Sequence, residues 1–124
     1  MALHAQRKGK EGEIEFCKWL LENFNIDVAR NLTQSRGKGS DIIVDDFLFE
    51  IKRREILSLD SWWHQVVIAA KTYEKQKGLI PIVAYRQNRQ SWNFLIPAKL
   101  IHGLERGYLV ANESVFKQLM RGII

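Results

Sequence analysis

The spacing of apolar positions changes along the chain, and each change marks an element. Over residues 10–24, Ile14, Phe16, Cys17, Leu20, Leu21 and Phe24 recur at three- and four-residue steps, which predicts a helix with one apolar face. Residues 26–30 alternate as a short strand, and residues 31–40 form a polar stretch with Gly37 and Gly39 that predicts a loop. Two runs rich in Ile, Val, Phe and Leu follow, separated only by Asp45 and Asp46, and predict a hairpin. A second helix is expected to start at Asp60 or Ser61 and run to Lys77, with Gly78 as its stop and Trp62, Val66, Ala69, Ala70 and Tyr73 on its core side. Residues 79–85 and 91–97 read as two further strands, Pro81 marking a strand beginning or an edge. A short helix over residues 98–104 and a last one over residues 113–120, capped by Asn112, complete the order αβββαββαα. The fold class expected is α/β (α+β): a central mixed five-stranded sheet flanked by helices, in one domain covering residues 1–124.

The hairpin fixes a register with chemical consequences. If Val44 faces Phe47, then Ile43 faces Leu48, Ile42 faces Phe49, and Asp41 lies opposite Glu50. Alternation puts Glu50 and Lys52 on one face, and cross-strand partners share a face, so Asp41, Glu50 and Lys52 converge. Two opposed carboxylates repel unless a cation sits between them. A hard divalent metal suits the position, because Mg²⁺ is commonly held by one or two carboxylates together with waters and phosphate oxygens.

Glu13 is the anomaly of the first helix. At about 100° per residue, Cys17, Leu20 and Phe24 all fall within about 40° of it, on the buried side, whereas Glu11, Glu15 and Glu22 project elsewhere as surface charges. A carboxylate facing a core is costly unless it is paired, hydrogen-bonded or bound to metal. Cys17 reads as a small buried hydrophobe, His64 as a surface or interface histidine without a second ligand at metal-binding spacing, and Trp62 and Trp63 as core or subunit contacts.

Composition narrows the partners. Nineteen basic against fourteen acidic residues give a net charge of +5, which favours a polyanion. The single cysteine excludes an internal disulfide and fits a reducing compartment. The N-terminal segment lacks the apolar stretch of a signal peptide, and no apolar run approaches the roughly 18 residues of a membrane span. A soluble intracellular protein without a membrane partner is expected.

Glu13, Asp41, Glu50-Ile51-Lys52 and Gln65, in this order on these elements, resemble the PD-(D/E)xK nuclease superfamily, and within it the archaeal and phage type of Holliday junction resolvase. Arg7-Lys8-Gly9 stands where that type has a basic start, and the polar loop where it has a mobile serine loop, here with Ser35 or Thr33 as the hydroxyl. Ser40 replaces the proline frequent in the superfamily. The similarity covers about residues 5–97 and leaves the final helices outside it.

The resemblance implies a restriction-endonuclease-like fold and metal-dependent hydrolysis of DNA phosphodiesters, with paired cuts that resolve four-way junctions. Asp41, Glu50 and the Ile51 carbonyl would hold Mg²⁺, for which Mn²⁺ would substitute, with Glu13 binding through water or a second metal. Lys52 would orient the water or neutralise charge developing on the phosphate, and Gln65 would position either one, with Ser35 as a further catalytic candidate. It also implies a C2 homodimer on branched DNA. Candidate phosphate contacts are Arg7, Lys8, Lys10, Arg30, Arg36, Lys38, Arg53 and Arg54. The expected setting is the cytoplasm, at the nucleoid or in a phage-infected cell. The alternatives are a related nuclease acting on flaps, nicks or duplex, and a catalytically silent DNA-binding module.

Overall fold

The computed structural model of the protein describes residues 2–28, 41–101 and 103–123, with side chains of the first helix from residue 9 onward. Its elements are α1 (Ala2–Phe24), β1 (Asp41–Val44), β2 (Phe47–Arg53), α2 (Leu59–Thr72), β3 (Ile80–Arg86), β4 (Asn93–Pro97), β5 (Tyr108–Asn112) and α3 (Glu113–Met120). The strands form one five-stranded sheet in the order β1-β2-β3-β4-β5. Only β2 and β3 are parallel, and α2 is the crossover that a parallel pair requires.

Alternation along β2 sends its side chains into two cores. Phe47, Phe49 and Ile51 meet Phe16, Trp19 and Leu20 of α1 and Phe116 of α3 on one face. Leu48 meets Trp62, Val66 and Ala70 of α2 on the other. The sheet is therefore the middle of three layers. Phe94 and Phe116 stack with ring centroids 3.8 Å apart, and Phe16, Phe49, Phe94 and Phe116 are fully buried. Each such burial is worth about 1.5–3 kcal/mol relative to exposure, so α3 is part of the core of the sheet.

The fold class is the one expected, with corrections to individual elements. α1 begins at Ala2 and runs through Gly9, well before residue 10. It ends where Asn25 takes a positive φ of 56° and its N–H donates to Leu21 O at 3.0 Å. Residues 26–28 are not a strand: Val28 is buried and Ile26 packs on the same core, so their alternation serves packing without sheet pairing, and residues 29–30 lie outside the described chain. α2 stops at Thr72, not Lys77, because Tyr73 turns to extended backbone and buries its ring among Trp62, Val66 and Leu79. Gly78, at φ 73°, serves the turn into β3. Residues 98–104 give only a 3-10 turn over Ala98–Leu100, and the fifth strand is Tyr108–Asn112, which the sequence reading missed. The observed order is therefore αββαβββα. α3 starts as expected, with Asn112 Oδ1 accepting from Val115 N at 2.9 Å. Among the described residues no helix is long and apolar enough to cross a membrane.

Candidate active site

The hairpin has the predicted register, with Asp41 paired to Glu50, Ile42 to Phe49, Ile43 to Leu48 and Val44 to Phe47. Asp-Asp makes the turn with Asp45 in the left-handed region at φ 51°, a conformation aspartate tolerates better than most residues. Gln76 locks it, its Nε2 donating to Asp45 O at 3.0 Å and Asp46 Oδ1 at 3.2 Å. Ile80 N–H donates to Asp46 O at 2.7 Å, which ties the turn to the start of β3. Asp41, Glu50 and Lys52 thus share a face with Ile43 and Leu48, on the side that α2 covers.

Lys52 Nζ lies 3.2 Å from Glu50 Oε1, with the two side chains only 15% and 13% exposed. Glu50 Oε2 is buried and has no hydrogen-bond partner. Burial pushes the Glu50 carboxyl above its ordinary range; Lys52 pulls it back and the nearby Asp41 charge pushes it up again. Glu13 reaches the same neighbourhood from the α1 layer. Its Oε1 is likewise buried without a partner, and its carboxyl is raised by burial first and by Asp41 next, against the pull of Lys10. Asp41 is therefore the hub whose charge acts on both glutamates.

Gly12 explains how α1 comes so close. A Cβ built there would stand 3.0 Å from Arg53 Cβ and 3.7 Å from Ile51 Cγ2. The helix lies directly on the end of β2 at the residue before Glu13, an approach that only glycine allows without displacement.

Among the described residues no three His, Cys, Asp or Glu side chains stand close enough together to enclose a metal ion, and Glu50 is turned to Lys52. The donor chemistry nonetheless fits a hard divalent cation. It is all oxygen, it includes two buried carboxylate oxygens without partners, and Mg²⁺ needs only one or two carboxylates because it keeps several waters.

The remaining expected residues are scattered. Gln65 is exposed on α2, the layer over this face. Ser35, Thr33, Arg30, Arg36 and Lys38 lie outside the described residues; Arg7 and Lys8 are in α1, but their side chains are not described. Lys10 is exposed, and Arg54 is half-buried, donating from Nη1 to Arg53 O at 3.1 Å. Arg53 points to the α1 face, with Nε 3.5 Å from Glu15 Oε2; that separation is a charge contact without hydrogen-bond geometry, since the Nε is buried and has no hydrogen-bond partner. The same Glu15 oxygen accepts from Arg86 Nη1 at 2.8 Å, so Glu15 is not the free surface charge expected but the tie between α1 and the ends of β2 and β3. Cys17 packs against the core, where burial, Glu13 and Asp27 raise its thiol pKa; His64 is exposed.

Three contributors were not singled out from the sequence. Gly12 had a signal, since a glycine inside a helix costs about 1 kcal/mol relative to alanine and so calls for a packing reason. Arg86 had none, because its partner Glu15 is 71 residues away in the chain. Tyr85 pairs with Lys52 in the parallel register, is buried, and packs its ring 5.7 Å from Trp62, so it stands on the strand beside the lysine.

The chain matches the sequence profile of a family described as "Phage putative PDDEXK endonuclease" over residues 4–121. Among solved structures it is similar to Hjc of Archaeoglobus fulgidus, a Holliday junction resolvase from an archaeal hyperthermophile, at 22% identity and a TM-score of 0.41, covering 90% of this chain and 88% of that one. Among curated proteins none matches.

Proposed function

The chain belongs to the phage PD-(D/E)xK endonuclease family, and we propose that it is a metal-dependent, structure-specific DNA endonuclease that resolves four-way junctions by paired phosphodiester hydrolysis. The observation that carries the reading is the opposition of Asp41 and Glu50, with buried, unpartnered oxygens on Glu50 and on Glu13 nearby. A fold built for stability alone avoids setting two carboxylates opposite each other and burying carboxylate oxygens without partners. The choice of a junction as substrate is supported by the likeness of Arg7-Lys8-Gly9, Glu13, Asp41 and Glu50-Ile51-Lys52 to the resolvase pattern.

Asp41, Glu50 and the Ile51 carbonyl would hold the cation, with Glu13 as a further oxygen donor. A divalent ion bound there supplies Lewis-acid polarisation of the phosphodiester and a water acidic enough to act near neutral pH. Lys52, released from Glu50, offers its ammonium to the charge that develops on the phosphate. Gln65, on the covering helix, positions water or phosphate. Ser35, six residues before Asp41 in the sequence, would be the further hydroxyl. The cationic side chains Arg7, Lys8, Lys10, Arg30, Arg36, Lys38, Arg53 and Arg54 contribute salt-dependent affinity without reading sequence.

One such site cuts one strand, so two symmetric cuts require two copies of the chain about a two-fold axis. The setting consistent with this chemistry is the interior of a phage-infected cell. The test is cleavage of a labelled four-way junction beside matched duplex, flap and single-stranded DNA, with Mg²⁺, with Mn²⁺ and with EDTA. Paired cuts confined to the junction and lost in EDTA support the proposal. Cuts in flap or duplex would change the substrate and keep the site, and tight binding without cutting under either metal would overturn the enzymatic reading.

A further inference from the structure

A second concave surface lies away from the acidic cluster. It is a groove of about 360 Å³ bounded by α2 and by the segments around β3, β4 and β5. Its apolar lining comes from Trp63, Val67, Ala70, Leu79, Pro81 and Pro97. Leu79 and Pro81 lie at the start of β3, Pro97 ends β4, and Gly107 precedes β5; Pro81 pairs with Leu48 and Val83 with Glu50, so the groove lies two residues along the strands from the Asp41–Glu50 pair and shares no lining residue with it. Three exposed cations, Lys71, Lys99 and Arg106, stand at its rim against one carboxylate, Glu105. The adjoining connection, closed at its base where Ala98 N–H donates to Gly107 O at 2.9 Å, leaves Leu100, Ile101 and Leu104 between 37% and 45% exposed.

We propose that this groove binds an acidic peptide segment of a partner protein, seating apolar side chains on the floor and carboxylates against Lys71, Lys99 and Arg106. An apolar floor within a cationic rim is complementary to acidic-apolar sequence. It does not suit a nucleic acid backbone, because the floor offers a phosphate no donor, and the Trp63 ring already packs on Tyr108 at 5.5 Å, which takes it from a base. Nor does it suit a second copy of this chain: a two-fold contact sets the same patch against itself and would bring three cations to face three. Because the groove shares no lining residue with the acidic cluster, an occupant recruits the protein while leaving Asp41, Glu50 and Lys52 uncovered.

The test is fluorescence anisotropy with fluorescein-labelled acidic peptides of alternating Asp and Glu that carry two Leu, two Phe or two Trp residues. The proposal expects saturable binding of at least one of them to the wild type. It expects binding about tenfold weaker for the Lys99→Glu/Arg106→Glu double variant, for Lys71→Glu on the separate α2 element, and for a peptide with Ser at the apolar positions. Each of these outcomes would overturn it: no binding of any peptide, equal binding of the Ser peptide, equal binding by the charge-reversed variants, displacement of the peptide by unlabelled duplex DNA, or a change of oligomeric state in the double variant.

Discussion

Asp41 and Glu50 stand directly across the β1–β2 ladder, two carboxylates at a position where like charges repel. The Glu50 carboxyl is accordingly raised, by burial first, despite the pull of Lys52. A raised carboxyl stabilises the fold most below its unfolded pKa, and that contribution is lost as pH climbs from about 4.5 through the folded value. Without metal, Asp41→Asn is expected to be more stable than the wild type at neutral pH by about 0.5–1 kcal/mol, and the gain should shrink toward pH 4. Thermal melts across pH in EDTA measure it. A stability difference between the two proteins that does not change with pH would mean that the pair does not repel.

Divalent cation should reverse that order. An ion that binds the folded acidic cluster raises the melting temperature by mass action, so Mg²⁺ or Mn²⁺ is expected to stabilise the wild type by about 2.7 kcal/mol at a hundred times its dissociation constant. Asp41→Asn and Glu50→Gln should respond far less. Equal shifts in all three proteins would place the ion elsewhere.

Gly9 and Gly12 share a helix but have opposite surroundings. A Cβ at Gly9 meets nothing within 4 Å, whereas one at Gly12 would press on Arg53 Cβ at 3.0 Å. Gly9→Ala should therefore add up to about 1 kcal/mol of stability through helix propensity. Gly12→Ala should lose about 1 kcal/mol net, the crowding outweighing the same gain, and should lower activity by shifting Glu13. Urea titrations of both variants decide the point; a stabilising Gly12→Ala would contradict the close approach of α1 to β2.

Glu15 joins α1 to Arg53 and Arg86 at the ends of two strands. Glu15→Gln is expected to cost about 1–2 kcal/mol at low salt and less as ionic strength rises, because all three side chains keep some contact with solvent. Melts at low and high salt would show it, and a salt-independent loss would point to packing in place of charge.

How legible the chain was depends on the range of each determinant. The β1–β2 register could be read because it needs only alternation and a two-residue break, and Glu13 because helical stepping placed it among Cys17, Leu20 and Phe24. The end of α2 could not, since Thr72 stops the helix for the sake of Tyr73, whose burial site is built partly from Leu79 and Val83 on another element. β5 was short and half-exposed, an edge strand whose partner β4 lies across a connection that resembled a helix, although Gly103 and Gly107, at φ 90° and 81°, framed it as turn residues. Glu15 looked like any surface glutamate because Arg86 is far away in sequence. The security of the Asp-Asp turn likewise rests on Gln76, which no local rule connects to it.

If the carboxylates around Asp41 are the catalytic site, Asp41→Asn and the wild type, compared on one labelled four-way junction in Mg²⁺ with binding and cleavage recorded together, must part in cleavage and not in binding. Cleavage should fall by about a hundredfold or more while affinity is unchanged or tighter, because a carboxylate that repels phosphate has been neutralised. An Asp41→Asn protein that binds and cuts as well as the wild type would contradict the assignment.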